Sequence, residues 1–288
     1  MEIISGVKKK ERYPLEIKAY PYLQDHYFEG QAVLPAVEAL IIMATVAAAN
    51  FPQINVCLQK QARFPRFLSI DPQEQIKKVF ADITETSDGA LSVSISTMSK
   101  AKTGIINRTL EHAYVEFVAS PAEEHPAPPL PDWKHLGGKR FNVPAAAIYR
   151  ELVPFGKAYQ NIVGELSLSP EGAIAHLYGG EGEVSEYLIG SPFPLDAALH
   201  AACSWGQRYT GIVGFPVGFE KRIIYHKSKK GSQYIGRIIP VNVSREPLIF
   251  DALIYDLDGI IYESVSGIQM RDVTQGRLRP PDWIKAGL

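Results

Sequence analysis

Residues 34–50 read LPAVEALIIMATVAAAN, and this stretch decides the fold because nearly all of its side chains are apolar. Glu38 and Thr45 are its main polar residues, so the helix that it predicts has no face for solvent and must be buried nearly all round. Pro35 suits the first turn of such a helix, where a missing N–H costs nothing. The stretch therefore predicts a helix that other elements of the chain enclose.

Strand-like runs follow this helix, and the second half of the chain repeats the plan. The first half has runs at Asn55–Ser69, Ile76–Glu85, Leu91–Ser99 and Thr109–Val118. The second half has helix patterns near Val143–Leu152 and at Leu195–Arg208, and strand patterns at Ile162–Leu168, Ala173–Tyr178, Lys221–His226, Gln233–Val243, Leu248–Asp256 and Ile260–Ile268. A curved antiparallel sheet needs an apolar helix on its concave face, so each half predicts a helix wrapped by a sheet, in the α+β class.

A proline-rich stretch separates the two halves. Five prolines fall between residues 121 and 131, and Gly137-Gly138 follows them. Proline fixes φ and has no backbone donor, so we expect an extended connector here. The predicted organisation is residues 1–120 as one unit, 121–140 as the linker and 141–288 as the second unit.

Several features of the two halves lie 170 positions apart. Phe80 and Phe250 do so, and so do the hairpin signals Asp88-Gly89 and Asp258-Gly259. The two Ala-rich helix patterns differ by nearly as much. The shared offset favours a duplicated unit, and it matches position 26 in the first half with position 196 in the second.

His26 lies just before the first helix, with Gly30 between it and Pro35. Gly30 lets the chain turn tightly, and free N–H groups near a helix start stabilise a carbonyl oxygen that gains negative charge. A histidine beside such donors can remove a proton from the carbon next to that carbonyl. The alternative interpretation is an ordinary loop histidine.

Asp196 lies among apolar residues in the second Ala-rich helix, one turn before His200 on the same helical face. Burial disfavours a charged carboxylate, so Asp196 could hold a proton at neutral pH. The alternative interpretation is an N-cap that accepts backbone N–H bonds. The match with position 26 favours a catalytic pair facing each other across a cleft.

These residues carry a family resemblance. His26-x-x-x-Gly30-x-x-x-x-Pro35 resembles the HxxxGxxxxP motif of polyketide synthase dehydratase domains, and Asp196-x-x-x-His200 resembles their DxxxQ/H motif. The segment 214–219, GFPVGF, is similar to the family's LPFxW-like segment. The resemblance covers essentially the whole chain and implies a double hotdog, which is two fused helix-in-sheet units.

One segment departs from that family. The family pattern GYxYGPxF maps onto residues 152–159, LVPFGKAY, where Gly156 is kept and Phe155 replaces the second tyrosine. Lys157 stands for the family's proline, and Tyr159 for its phenylalanine. If a tyrosine hydroxyl binds substrate there, this chain manages without it, or Tyr159 supplies one from nearby.

The resemblance implies a 3-hydroxyacyl-thioester dehydratase acting on a polyketide or fatty acyl chain. His26 would be the base and Asp196 the acid, with His200 orienting Asp196 and the Gly30 backbone polarising the thioester carbonyl. The substrate would be carried on the phosphopantetheine of an acyl carrier protein, within or beside a synthase. No metal and no cofactor of its own is expected, and a homodimer is left open.

Two alternatives to the dehydratase remain. The same pair in the same fold could carry out double-bond isomerisation or product-template cyclisation. A different class is a non-catalytic acyl-binding module of a synthase, which the altered 152–159 segment would suit.

Composition argues against several other classes of protein. The 288 residues carry 30 basic and 31 acidic side chains, so no strong field attracts nucleic acid. The longest apolar run, Ala39–Ala49, is 11 residues, against the roughly 20 that span a bilayer. Cys57 and Cys203 are too few for a disulfide framework, and the first residues lack signal-peptide features, so a cytoplasmic protein is expected.

Overall fold

A computed structural model describes residues 6–87, 89–100, 107–118, 128, 135–181 and 187–285. The strands are β1 (Val7–Lys18), β2 (Tyr27–Phe28), β3 (Gln31–Ala32), β4 (Asn55–Arg63), β5 (Ile76–Thr86), β6 (Leu91–Lys100), β7 (Asn107–Val118), β8 (Phe141–Pro144), β9 (Ile162–Ser169), β10 (Gly172–Tyr178), β11 (Phe215–Ile224), β12 (Gln233–Asn242), β13 (Leu248–Tyr255) and β14 (Ile261–Arg271). The α-helices are α1 (Ala36–Asn50), α2 (Ala145–Ala147) and α3 (Phe193–Tyr209). Asp88 of the predicted hairpin and most of the 121–140 linker lie outside the described residues.

Twelve strands form one continuous antiparallel sheet in the order β1-β5-β6-β7-β4-β11-β14-β13-β12-β10-β9-β8. Outward from the β4–β11 contact, the first half reads β4-β7-β6-β5-β1 and the second reads β11-β14-β13-β12-β10. Each half thus places the strand after its helix at the centre and the next three strands as a meander beside it. The predicted α+β class, with two fused helix-in-sheet units, is confirmed.

The two long helices pack against the sheet of their own half and against each other. α1 contacts β4, β5, β6 and β7, while α3 contacts β9, β10, β12 and β13. Met43, Ala44 and Ala47 of α1 are completely buried, as the apolar pattern predicts. No helix of the described residues has the length and apolar character needed to cross a membrane.

The offset of 170 is wrong as the register of the duplication. It matches β5 with β13 and β6 with β14, which hold different places in their meanders. By topology β5 corresponds to β12 and β6 to β13, and these pairs begin 157 positions apart, as do α1 and α3. Asp-Gly marks any tight two-residue turn, so two such turns need not be equivalent. His26 and Asp196 are therefore not symmetry-related positions.

The helix predicted near Val143–Leu152 is broken into short pieces. Its first residues belong to the edge strand β8, and α2 and a single π-helical turn, Ile148–Leu152, follow. Pro144 ends the strand and precedes α2, since proline cannot donate to a strand ladder but suits a helix start. The strand predicted to reach Ser69 ends at Arg63, two residues before Pro65.

A buried ion pair lies where the two halves meet. Arg222 of β11 donates from Nε to Glu263 Oε1 at 2.7 Å and from Nη2 to Glu263 Oε2 at 3.0 Å. Its Nη1 also donates to Gln59 Oε1 of β4 at 3.3 Å. All three side chains are buried. The first half is thus bonded to the second by a charged group that is almost completely buried.

Candidate active site

The chain around His26 folds back on itself and holds the imidazole by its own backbone. A 3-10 helix, Pro21–Asp25, ends directly before His26, and the hairpin of β2 and β3 follows. Val33 then returns beside His26, and its N–H donates to the His26 carbonyl at 2.9 Å. The His26 Nδ1 lies 3.0 Å from the Val33 carbonyl oxygen, which can only accept. Nδ1 therefore carries the hydrogen, and Nε2 is left with a free lone pair.

Aromatic rings cover His26. Its ring centroid lies 4.2 Å from that of Phe155 and 5.1 Å from that of Tyr159. This burial lowers the pKa of His26 to about 4, a shift that nearby Asp196 opposes and His200 reinforces. The imidazole is therefore neutral at physiological pH, the state a general base needs.

Asp196 and His200 lie one turn apart on α3, and each is only 4% exposed. Asp196 is the fourth residue of the helix, and its N–H donates to the Pro192 carbonyl at 3.1 Å, so it is not the N-cap. His200 Nε2 is 3.0 Å from Asp196 Oδ2, but the two are not aligned as a hydrogen bond. Neither atom has another hydrogen-bond partner among the described residues, which leaves both available to a ligand.

Tyr149 lies behind His200. Its hydroxyl accepts the Ile162 N–H at 2.7 Å, so its own hydrogen can point to His200 Nδ1, 3.5 Å away. That arrangement favours a hydrogen on His200 Nε2, the ring nitrogen nearer Asp196. Sequence reasoning missed Tyr149, because an isolated tyrosine carries no motif.

His26, Asp196 and His200 line one cavity of about 360 Å³ between the two halves. Gly30 and Phe155 line it as well, and so do Gly214 and Phe215 of the GFPVGF segment. Its apolar wall comes from both halves and includes Leu34, Ala39, Ile95, Leu152, Val153, Leu199, Val213 and Met270. The arrangement is a mainly apolar chamber in which a few polar groups converge.

Gly30 does not lie at the start of α1. It is the second turn residue of the β2–β3 hairpin, where Glu29 and Gly30 have φ of 48° and 79° as a type I′ turn requires. α1 begins at Ala36, and Pro35 occupies its N-cap and accepts the Ala39 N–H at 3.0 Å. Gly30 thus lines the cavity through its turn, while Pro35 begins the helix without being among the described lining residues.

Gly156 and Tyr159 lie behind the cavity rather than in its described lining. Tyr159 is completely buried, packs on Phe193 at 5.5 Å between ring centroids, and its hydroxyl makes no hydrogen bond within the described part of the chain. Burial and the nearby Glu38 raise its pKa. Its hydroxyl thus lies near the buried Glu38 carboxyl.

Glu38 is a buried carboxyl on α1 that the sequence reasoning noted only as a polar interruption. It is 6% exposed, and Tyr22 donates its hydroxyl to Oε1 at 3.0 Å. Burial raises the pKa of Glu38 to about 7, with Asp196 acting in the same direction and the Tyr22 bond against it. Glu38 and Tyr22 thus form a titratable group behind the catalytic candidates.

We expect Glu38→Gln to remove a loss of stability that the wild type suffers as pH rises. The pKa of Glu38 in the folded protein, about 7, exceeds its ordinary 4.5. The contribution of Glu38 to the free energy of unfolding is therefore full below pH 4.5 and is lost as pH rises through 7. At about 1.4 kcal/mol per pKa unit, the loss of unfolding free energy is at most about 3.5 kcal/mol. Urea unfolding of variant and wild type at pH 5 and pH 8 measures it.

His26 titrates with the opposite sign in an overlapping range, since its lowered pKa adds stability as pH rises from 4 to 6.5. The quantity to compare is therefore the difference between Glu38→Gln and wild type at each pH. Glu16→Gln, on an exposed position of β1, is the control. An unchanged difference between pH 5 and pH 8 would contradict the expectation.

Comparison with known proteins finds the same architecture in solved dehydratase structures. The dehydratase domain from the CurF module of curacin polyketide synthase aligns with a TM-score of 0.73 at 19% identity, over 93% of this chain and 95% of that one. A trans-AT polyketide synthase dehydratase domain from Brevibacillus brevis gives 0.73 at 19% identity, over 92% and 95%.

A third solved structure is an inactive mutant of CurJ dehydratase in which phenylalanine replaces a histidine. It aligns with a TM-score of 0.71 at 16% identity, over 94% of this chain and 93% of that one. No family model matches the sequence, and no curated protein matches it. The chain therefore has the double-hotdog fold of the polyketide synthase dehydratase domains.

Proposed function

We propose that the protein is a dehydratase that removes water from a 3-hydroxyacyl thioester to give a 2-enoyl thioester. The observation that carries this proposal is one apolar cavity lined by a neutral imidazole and a buried carboxyl from different halves of the chain. The two side chains are the base and acid that elimination of water requires. The fold shared with solved dehydratases, one of them inactive with phenylalanine in place of a histidine, supports the proposal.

In the proposed mechanism, the Nε2 lone pair of His26 takes a proton from the α-carbon of the acyl chain. The electrons of that C–H bond form the new double bond while the bond to the β-hydroxyl breaks. Asp196 donates its proton to the departing hydroxyl, which leaves as water. His26 ends the turnover protonated and Asp196 ionised, so His26 must release its proton and Asp196 must regain one before the next cycle. The overall oxidation state is unchanged, so the step needs no redox cofactor.

Neighbouring groups assist this pair in the proposal. His200 orients the Asp196 carboxyl through close contact, with its Nε2 3.0 Å from Oδ2, and Phe155 covers both histidines from one side, 5.1 Å from His200 between ring centroids. The Gly30 N–H polarises the thioester carbonyl, since its exposed turn lines the cavity. The acyl chain occupies the apolar chamber, delivered on the phosphopantetheine of an acyl carrier protein.

Mass spectrometry of acyl products tests the proposal directly. Wild-type protein is expected to convert 3-hydroxyacyl thioesters to products lighter by one water. Asp196→Asn should lower that rate by about 100- to 10,000-fold, because the amide cannot supply the proton. Asp71→Asn, in an exposed turn, is the matched control and should retain activity.

Two outcomes would overturn the dehydratase assignment. Products of unchanged mass but altered double-bond position would indicate an isomerase. Acyl-carrier binding without turnover at any chain length would indicate a non-catalytic acyl-binding module.

A further inference from the structure

We propose that Asp25 is a positioning residue that holds His26 in register with the Phe155–Tyr159 segment of the other half. The inference deepens the proposed function, on which only its kinetic readout rests. Asp25 does not line the described cavity, so its effect on chemistry acts through its neighbour.

Asp25 makes two bonds across the boundary between the halves. Its backbone carbonyl accepts the Gly156 N–H at 2.7 Å. Its carboxylate Oδ2 accepts the Ala158 N–H at 2.9 Å. Asp25 is also the last residue of the 3-10 helix and directly precedes His26. One residue therefore sets the place of the base and the place of the segment that packs on it.

The two bonded amides lie between the two rings that cover the base. Phe155 precedes Gly156, Tyr159 follows Ala158, and both rings contact the His26 imidazole. The two bonds thus fix the segment at the points that orient these rings. Loss of the carboxylate bond would free Ala158 and loosen the adjacent Tyr159.

The Asp25 side chain lies directly against the backbone of Gly156. Its φ of −69° is open to any residue, so backbone conformation does not demand glycine here. A Cβ at this position would instead run into the Asp25 side chain. Glycine is needed because the carboxyl group occupies that space, so Gly156→Ala disturbs the same contact from the opposite side.

The consequence is measurable at His26. The groups that face the imidazole are Asp196 and His200 from α3, the Val33 carbonyl and the rings of Phe155 and Tyr159. Substitution at position 25 leaves the first three in place and loosens the rings. More water then reaches the imidazole, and its pKa should rise from about 4 toward its ordinary 6.5.

The primary experiment follows the His26 imidazole by NMR titration, with the resonance assigned by its absence in His26→Phe. Asp25→Ala and Gly156→Ala should raise the titration midpoint by about one pH unit or more. Asp25→Asn should stay close to wild type, since its amide oxygen can still accept the Ala158 N–H. Because Asn also removes the charge, it separates loss of the bond from loss of the carboxylate's field.

Controls and kinetics complete the test. Asp71→Ala removes a similar bond, to the Gln73 N–H at 2.8 Å in an exposed turn, and should leave the midpoint unchanged. Asp25→Ala should lower kcat by about 10- to 100-fold with little change in KM, and Asp25→Asn should restore it.

The outcomes separate this inference from the proposed function. An unshifted midpoint in folded Asp25→Ala, or equal shifts in Asp25→Ala and Asp25→Asn, would overturn the inference. If Asp25→Ala does not fold, Gly156→Ala decides by the same criterion. A wild type that fails to dehydrate any thioester would defeat the proposed function and leave the titration result standing.

Discussion

His26→Ala is expected to lower turnover of 3-hydroxyacyl thioesters by about 100- to 10,000-fold, which is the contribution of a positioned general base. The side chain lies in the cavity wall and is not fully buried, and its hydrogen bond within the described chain is to Val33. Its removal should therefore leave the fold in place. Steady-state kinetics measure the loss, with circular dichroism as the check on folding.

The matched control is His226→Ala, a histidine outside the described cavity lining that packs on Tyr262. It should keep wild-type turnover. Full activity in His26→Ala would show that another group takes the α-proton, and it would end the assignment of the base.

The pH dependence of kcat/KM is a second test of His26 as the proposed base. Because only the neutral imidazole of the proposed base accepts a proton and its pKa is about 4, the acid limb of kcat/KM should rise with pH through about 4. An acid limb near 6.5, the ordinary value, would mean that the aromatic cover of His26 opens in solution.

Glu263→Ala should cost about 3–5 kcal/mol of unfolding free energy, because it leaves the Arg222 guanidinium buried without its counter-ion. Arg222 is 2% exposed, and two of its nitrogens donate to Glu263. Gln59, its neighbour from β4, offers a neutral oxygen and cannot replace the charge. Urea unfolding of variant and wild type measures the difference.

Two comparisons sharpen this expectation. Arg222→Met combined with Glu263→Leu removes both charges and should recover most of the loss, since apolar replacements of a buried pair are often neutral. Glu85→Ala breaks the surface pair with Lys8 and should cost about 1 kcal/mol or less. A loss below about 1 kcal/mol in Glu263→Ala would show that water reaches Arg222.

Local patterns predicted much of this molecule. The apolar stretch at residues 34–50 predicts α1, because a helix without a polar face can only be buried. Alternation at residues 91–96 predicts β6, and apolar residues around Asp196 predict its burial. Each of these signals lies within a few turns of chain, where one-dimensional periodicity reports directly on a face.

Contacts between distant segments were not predictable in the same way. Asp25 meets Ala158 across 133 positions, and nothing in the local sequence of either marks the other. Glu38 is similar, since its partner Tyr22 is set by the turn of the chain before α1. The register of the duplication failed because turn signals repeat wherever two strands meet, whereas topology alone distinguishes the strands.

The two strands that pair at the centre of the sheet, β4 and β11, are synthesised at different times. β4 is complete long before β11 exists, since paired residues such as Ala62 and Phe219 lie 157 positions apart. At the usual rate of translation, roughly 10 to 30 s pass between them. Once β7 has been made, one side of β4 can pair with it, while the other side of β4 presents unpaired N–H and C=O groups until β11 is made. The first half of the nascent chain therefore exposes an unpaired edge of β4 until β11 has been synthesised.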